Sequence, residues 1–129
     1  MDLREQRFGI EIEMTGITRE KAAEVTAEYF GTRTHYVGTY YDTYAAIDNQ
    51  GRQWKFMSDA SITAQRKVDG RRVNAGNEYR TEMVSPICTY EDIVPIQEII
   101  RKLKEYGSIT NKSCGIQVHI DASAFDAIK

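Results

Sequence analysis

The sequence is poor in the residues that build zinc sites and disulfide frameworks. Its 129 residues include only two cysteines, Cys88 and Cys114, and two histidines, and these do not fall in a zinc-binding spacing. A structural zinc site is therefore not expected. In a reducing compartment, the two cysteines are expected to be free thiols rather than a disulfide.

The chain also lacks a long apolar run. No stretch approaches the roughly 20 apolar residues of a membrane-spanning helix, and no signal-type apolar segment follows the charged start MDLREQR. The formal net charge is −2, which gives no electrostatic reason to bind nucleic acid or an anionic membrane. We therefore expect a cytoplasmic protein with neither partner.

The composition that remains is that of a soluble globular protein. Apolar residues make up 41% of the chain and charged residues 28%, and the length suffices for one core. The last residues, HIDASAFDAIK, stop where a helix is expected to follow a strand. We therefore expect residues 1–129 to form a single domain that is incomplete at its C-terminus.

Hydrophobic periodicity predicts an α+β fold with a mainly antiparallel sheet and two helices packed on one of its faces. The first helix is predicted from the N-cap Thr18 to Phe30, and the second from Glu91 or Asp92 to Tyr106. The second helix is expected to bury one face formed by Ile93, Ile96, Ile100 and Leu103. The predicted strands are residues 8–14, one or two strands within 35–47, the segment RQWKFMSD, EYRTEMV and IQVHID. Residues 64–77 fit either a short hairpin or a mobile loop.

Polar side chains share one face of several predicted strands. Glu11 and Glu13 alternate with apolar residues, Gln117 and His119 do the same in IQVHID, and Glu82 precedes Met83. If these faces lie in one sheet, they form an oxygen-rich pocket in which carboxylates repel one another. A divalent cation would remove that repulsion, and such ligands suit Mg²⁺ or Mn²⁺.

The pattern alone leaves other interpretations open. A Glu-x-Glu pair on a strand is most often a solvated face, and a single strand histidine is most often a structural residue. The same acids could also serve a metal-dependent hydrolase.

Four segments, taken in order, resemble the amidoligase family, a branch of the carboxylate–amine ligases related to glutamine synthetase and glutamate–cysteine ligase. The matching segments are RFGIEIEM at 7–14, GRQWKFMSDASI at 51–62, EMVSP at 82–86 and NKSCGIQVHID at 111–121. The resemblance implies part of a glutamine-synthetase-like catalytic domain. It also implies an ATP-dependent ligase that forms an amide through an acyl phosphate.

The resemblance assigns roles to individual residues. Glu11 and Glu13 match the family's Glu-x-Glu metal ligands, and Glu82 matches the acid of its Glu-x-x-Ser-Pro segment. The family's last motif reads Gly-x-His-Val-His, so Gln117 stands where a metal-ligating histidine is usual, and His119 matches the phosphate-side histidine. Glu11, Glu13, Glu82 and His119 are thus the expected catalytic residues, with ATP and Mg²⁺ or Mn²⁺ as cofactors.

Three further side chains flank these motifs and could contact nucleotide or substrate. Lys55 and Asp59 lie within the second segment, and Arg80 is expected to share the face of Glu82. The expected substrates are a small-molecule or peptide carboxylate and an amine, and relatives of glutamine synthetase often form homo-oligomers. A truncated or inactive metal- or nucleotide-binding or interaction module of the same fold is the alternative, because Gln117 is a weaker ligand and relatives continue beyond this motif.

Overall fold

The computed structural model describes residues 3–121, which contain eight strands and two α-helices. The strands are β1 (Phe8–Met14), β2 (Thr34–Gly38), β3 (Thr43–Ile47), β4 (Gln53–Met57), β5 (Gln65–Val68), β6 (Arg71–Asn74), β7 (Thr81–Val84) and β8 (Ile116–Ile120). The helices are α1 (Arg19–Phe30) and α2 (Ile93–Glu105), and short 3-10 turns occupy Leu3–Glu5, Asn77–Tyr79 and Tyr90–Asp92.

Six of these strands form one antiparallel sheet in the order β2-β3-β4-β7-β1-β8. Helix α1 packs against β3 and β4, and α2 packs against α1. The predicted α+β class with a mainly antiparallel sheet is confirmed. Strand β1 lies between β7 and β8, so the three strands whose polar faces were expected to converge are direct neighbours.

The first helix begins and ends at the predicted residues. The side chain of Thr18 accepts a hydrogen bond from the backbone N–H of Lys21, as an N-cap does. Gly31 ends the helix in a left-handed conformation, with φ of 70°, which glycine adopts without a steric penalty. Local capping chemistry was sufficient to define this element.

The second helix differs from its prediction at one residue of its buried face. It begins at Ile93, preceded by a 3-10 turn, so Pro95 falls in the first turn, where its missing N–H costs no helical hydrogen bond. Ile96 and Leu103 are buried and Ile100 packs against the core, so the prediction is confirmed for these three residues. It is wrong for Ile93, which is 39% exposed because it is the first residue of α2, at the end of the buried stripe, and the stripe also includes the fully buried Ile99.

Two strand predictions are sharpened by the structure. Residues 78–84 were predicted as one strand, but β7 begins at Thr81, because Asn77–Tyr79 forms a 3-10 turn. Within residues 64–77, the hairpin of β5 and β6 occupies 65–74, so the hairpin alternative is confirmed. Asp69 and Gly70, at the hairpin tip, have φ of 51° and 77°, the positive values that a tight turn requires.

The core lies between the sheet and the helices. Its largest fully buried side chains include Trp54, Phe56 and Met83 from the sheet, and Ile99 and Leu103 from α2. Removing such side chains from water is the main favourable term in folding. Because the helices cover this face, the opposite face of β1 and β7 is left to the polar residues.

Strand β8 is the outer strand next to β1. Ile116, Val118 and Ile120, on its side opposite Gln117 and His119, are 54–65% exposed. The helix expected after this strand lies outside the described residues. Within residues 3–121, no helix is long and apolar enough to cross a membrane, and both Cys88 and Cys114 are free.

Candidate functional site

The strand register brings the predicted polar residues onto one sheet face. Glu13 lies directly opposite Glu82 on β7, and Glu11 lies directly opposite Gln117 on β8. Side chains of directly opposed residues point to the same side of a sheet. The predicted convergence on one face is therefore confirmed, and these four residues help to line a cavity of about 410 Å³.

A loop adds a further acidic residue to this face. Asp59, just after β4, places a carboxylate oxygen beside Glu13 and Glu82, and all three ligand atoms lie within 4.8 Å of one another. We call Glu13, Asp59 and Glu82 the acid triad. The sequence suggested that Asp59 reaches nucleotide or substrate, and the structure places it among the acids themselves.

Hydrogen bonds within the loop fix the position of Asp59. Its Oδ1 accepts from the backbone N–H of Ser61 at 2.9 Å and from the Ser61 hydroxyl at 2.7 Å. This is an Asx turn, the local motif that a Ser-Asp-Ala-Ser segment favours. The local sequence favours this turn, but it does not show that the loop returns toward β1.

Glu13 is held from the other side by the chain that leads into β8. The backbone N–H of Gly115 donates to Glu13 Oε1 at 2.9 Å, and the backbone N–H of Glu13 donates to the Gly115 carbonyl at 3.0 Å. A Cβ at position 115 would lie 3.3 Å from Glu13 Oε1. Gly115 therefore allows a close approach that sequence periodicity did not identify.

Two members of the triad have opposite pKa shifts. Burial raises the pKa of Glu13, and the hydrogen bond to Asp59 and the charge of Asp59 raise it further. Burial also opposes ionisation of Asp59, but hydrogen bonds from Glu13 and Ser61 outweigh it and lower the pKa of Asp59. As pH falls, Glu13 therefore takes up a proton first and donates it in a hydrogen bond to Asp59.

Glu11 is arranged differently from the triad. It is 6% exposed, and its Oε2 lies 2.6 Å from Nε2 of His119. His119 is opposite Gly9 in the register, one diagonal step from Glu11. Because Gly9 has no side chain, the imidazole can lean along β1 to reach the carboxylate. His119 thus orients Glu11 at the end of the cavity.

The remaining predicted residues occupy distinct places. Gln117 lines the cavity beside Glu11. Lys55 is opposite Val84, which is itself opposite Glu11, so Lys55 and Glu11 belong to the same face of the sheet. Their backbones are two strand spacings apart, about 10 Å. Arg80 lies before β7, and its guanidinium donates to the Ile62 carbonyl and to Asn77 Oδ1. Arg80 therefore braces the loop that follows Asp59.

Ser85 connects the acidic motif on β7 to β1. Its hydroxyl accepts from the backbone N–H of Ile10 at 3.0 Å and donates to the Pro86 carbonyl, while its own N–H donates to the Ile10 carbonyl. The hydroxyl takes the place of the backbone carbonyl that would accept from Ile10 in a regular ladder, just before Pro86, which has no N–H to donate. The Ser-Pro pair thus fixes the register that sets Glu82 opposite Glu13.

Comparison with known proteins assigns the chain to a family over nearly its full length. The model of a family described as "Putative amidoligase enzyme" matches residues 4–129. No curated protein and no solved structure is detectably similar to the chain. The matched region contains every strand and loop that contributes to the cavity.

Proposed function

Because the chain belongs to the amidoligase family, we propose that it is a ligase that joins a carboxylate to an amine with consumption of ATP. The observation that carries the proposal is the acid triad, with three carboxylate ligand atoms within 4.8 Å of one another in a cavity. Carboxylates held this close repel one another, so the arrangement is best suited to a bound cation.

The donor set fits Mg²⁺ or Mn²⁺. Glu13, Asp59 and Glu82 offer hard oxygen atoms, and the amide oxygen of Gln117 is a further oxygen donor in the same cavity. When bound, such an ion neutralises the charge of phosphate oxygens during phosphoryl transfer. Gly115 and Ser61 hold Glu13 and Asp59 in place, which reduces the reorganisation that binding requires.

The proposed reaction has two steps. A substrate carboxylate oxygen attacks the γ-phosphorus of ATP, the bond to the leaving ADP oxygen breaks, and an acyl phosphate forms. An amine nitrogen then attacks the acyl carbon, the C–N bond forms, the C–O bond to phosphate breaks, and the amine loses one proton. We propose that His119, held against Glu11, and Lys55, on the same sheet face, contact the phosphate groups.

Titration calorimetry with Mg²⁺ and a non-hydrolysable ATP analogue tests the proposal. Wild-type protein is expected to bind both, and Glu82→Gln is expected to lose about tenfold or more in Mg²⁺ affinity, because the triad loses one charged ligand. Glu24→Gln, on the exposed surface of α1, is the matched control. Equal Mg²⁺ affinity of Glu82→Gln and wild type would refute the metal assignment.

Gln117 supports a second candidate, a metal- or nucleotide-binding module of the same fold without turnover. The amide is a neutral and weaker donor than the histidine of the family motif. Phosphate release in the presence of ATP, a mixture of amino acids and dicarboxylates, and a mixture of amines separates the two candidates. Release that requires both a carboxylate and an amine supports the ligase, and binding without release supports the module.

A further inference from the structure

A second cavity adjoins the acid triad on the side away from β8. It has a volume of about 630 Å³ and shares Asp59 and Glu82 with the first cavity. Its other walls include Tyr40 and Tyr41, from the connection between β2 and β3, and Met57 and Asn77. Asp59 and Glu82 therefore form the boundary between two spaces, as a site that joins two substrates requires.

The charges around this second cavity are of one sign. Its charged lining residues are the acids Asp59 and Glu82, and within the described part of the chain no lysine, arginine or histidine lines it. A carboxylate or phosphate would therefore meet repulsion here without a compensating cation from the protein. A ligand that carries a positive charge would meet attraction.

The aromatic side chains favour the same kind of ligand. Tyr40 is 96% exposed and Tyr41 is 51% exposed, and their rings meet edge to face with centroids 5.5 Å apart. The negative face of a tyrosine ring attracts an ammonium group. Met57 and the ring edges add apolar surface, so the cavity suits an alkyl chain as well as a charge.

The position of the two tyrosines is imposed by their surroundings. Thr39 and Asp42, on either side of them, have φ of 64° and 48°, values that non-glycine residues seldom adopt. The guanidinium of Arg19, only 4% exposed, donates to the carboxylate and carbonyl of Asp42 and also to the carbonyl of Asn77. One buried arginine therefore links the turn that carries Tyr40 and Tyr41 to Asn77, on another wall of the cavity.

From these observations we propose that the second cavity binds the amine substrate, and that this substrate is an organic primary amine with no carboxylate beside its amino group. The inference rests on the proposed ligase function. The volume of about 630 Å³ far exceeds the ~30 Å³ that one water-sized molecule such as ammonia occupies. The acidic lining disfavours an α-amino acid, whose carboxylate would approach Asp59 and Glu82.

An NMR titration of the ¹⁵N-labelled protein, without ATP or metal, tests this proposal directly. The probes are 1-aminopentane, norleucine, which adds a carboxylate beside the same amino group, and 1-pentanol, which lacks the charge. We expect 1-aminopentane to shift the amide signals of residues 40, 41 and 77, and to bind about tenfold more tightly than the other two probes.

Two substitutions identify the contribution of the rings. Tyr41→Leu is expected to weaken binding of 1-aminopentane by about two- to thirtyfold, the range from an exposed to a desolvated cation–ring contact. Tyr90→Leu is the matched control, because Tyr90 is also 51% exposed but does not line the cavity, and it should leave the affinity unchanged. A folded Tyr41→Leu with wild-type affinity would overturn the proposal.

Two further outcomes would also overturn it. One is norleucine binding as tightly as 1-aminopentane. The other is adenosine, rather than the amine, shifting the signals of residues 40, 41 and 77. Because the titration contains no ATP, its result is independent of turnover. Amine binding without any amide product would count against the ligase function alone, whereas turnover with unchanged affinity in Tyr41→Leu would count against this inference alone.

Discussion

Replacing Glu13 by glutamine should stabilise the protein without metal and weaken its response to metal. The introduced glutamine side chain would reproduce the protonated form of the glutamate. Its amide oxygen can accept from the Gly115 N–H, and its amide nitrogen can donate to Asp59. The substitution therefore keeps the hydrogen bonds to Gly115 and Asp59, loses the 3.3 Å contact in which the Ser61 hydroxyl donates to Glu13 Oε2, and removes one negative charge from the acid triad.

The size of the effect follows from the separation of the carboxylates. Two unit charges at the limiting distance of 4.8 Å repel by about 3.5 kcal/mol at an effective dielectric constant of about 20, and by about 0.9 kcal/mol in water. Glu13 is only partly buried, so we expect a gain of about 1–2 kcal/mol in the free energy of unfolding at pH 8. For a chain of this length, each kcal/mol raises the Tm by roughly 3–6 °C.

The pH dependence provides an internal check. The pKa of Glu13 is raised in the folded protein, so its ionised form is the destabilising one. This cost is complete above the folded pKa and disappears as pH falls below the pKa of the unfolded chain. The advantage of Glu13→Gln should therefore be largest at pH 8 and should vanish toward pH 4.

Urea unfolding at pH 8 and pH 4, with and without 5 mM Mg²⁺ or Mn²⁺, measures both effects. Wild type should gain stability with the ion by mass action, and Glu13→Gln should gain less, by about 1.4 kcal/mol for a tenfold loss of affinity. Glu24→Gln, a surface substitution, should stay within about 0.5 kcal/mol of wild type. If Glu13→Gln proves less stable than wild type at pH 8 without metal, the ionised glutamate has a stabilising partner and the reasoning fails.

Three further predictions concern the supports of the site. Ser85→Ala should lower the free energy of unfolding by about 1–3 kcal/mol, since the Ile10 N–H loses its acceptor; urea unfolding measures this, and a neutral result would contradict it. His119→Ala should lower the free energy of unfolding by about 1–2 kcal/mol, because Glu11 loses its 2.6 Å contact with the imidazole. The same substitution should weaken binding of an ATP analogue, which calorimetry measures. Mn²⁺ affinity, measured by paramagnetic resonance, should fall about tenfold per pH unit below the pKa of Glu13, because binding displaces one proton. An affinity that stays constant as the pH is lowered to 4 would refute proton displacement.

Local patterns were sufficient for most of the helices and strands and for half of the site. Period-two alternation placed Glu11 and Glu13 on one face of β1, and the same alternation placed Gln117 and His119 on one face of β8. Capping chemistry at Thr18 and Gly31 set both ends of α1. These features depend on neighbours within a few residues, which a sequence displays directly.

The remaining features depend on contacts between distant parts of the chain. Asp59 joins Glu13 because the loop after β4 folds back over β1, a return that no local pattern encodes. Arg19 resembles an ordinary first-turn residue of a helix, but its guanidinium is buried against the carbonyls of Asn77 and Arg80. The buried face of α2 was misassigned at Ile93 for the same reason, because tertiary packing determines where the buried stripe ends.

Because β8 is the outer strand of the sheet, it can open locally while the core stays folded, and part of the site opens with it. Within residues 3–121, its backbone is paired only with β1, and its apolar side chains are largely exposed, so little burial resists its opening. Its amides should therefore exchange with solvent faster than those of β1 or β7. His119 and the Gly115 contact with Glu13 both belong to this outer segment, so a ligand that binds through them would slow the exchange of its amides. Occupancy of the site could then be measured as hydrogen-exchange protection of β8, without any measurement of turnover.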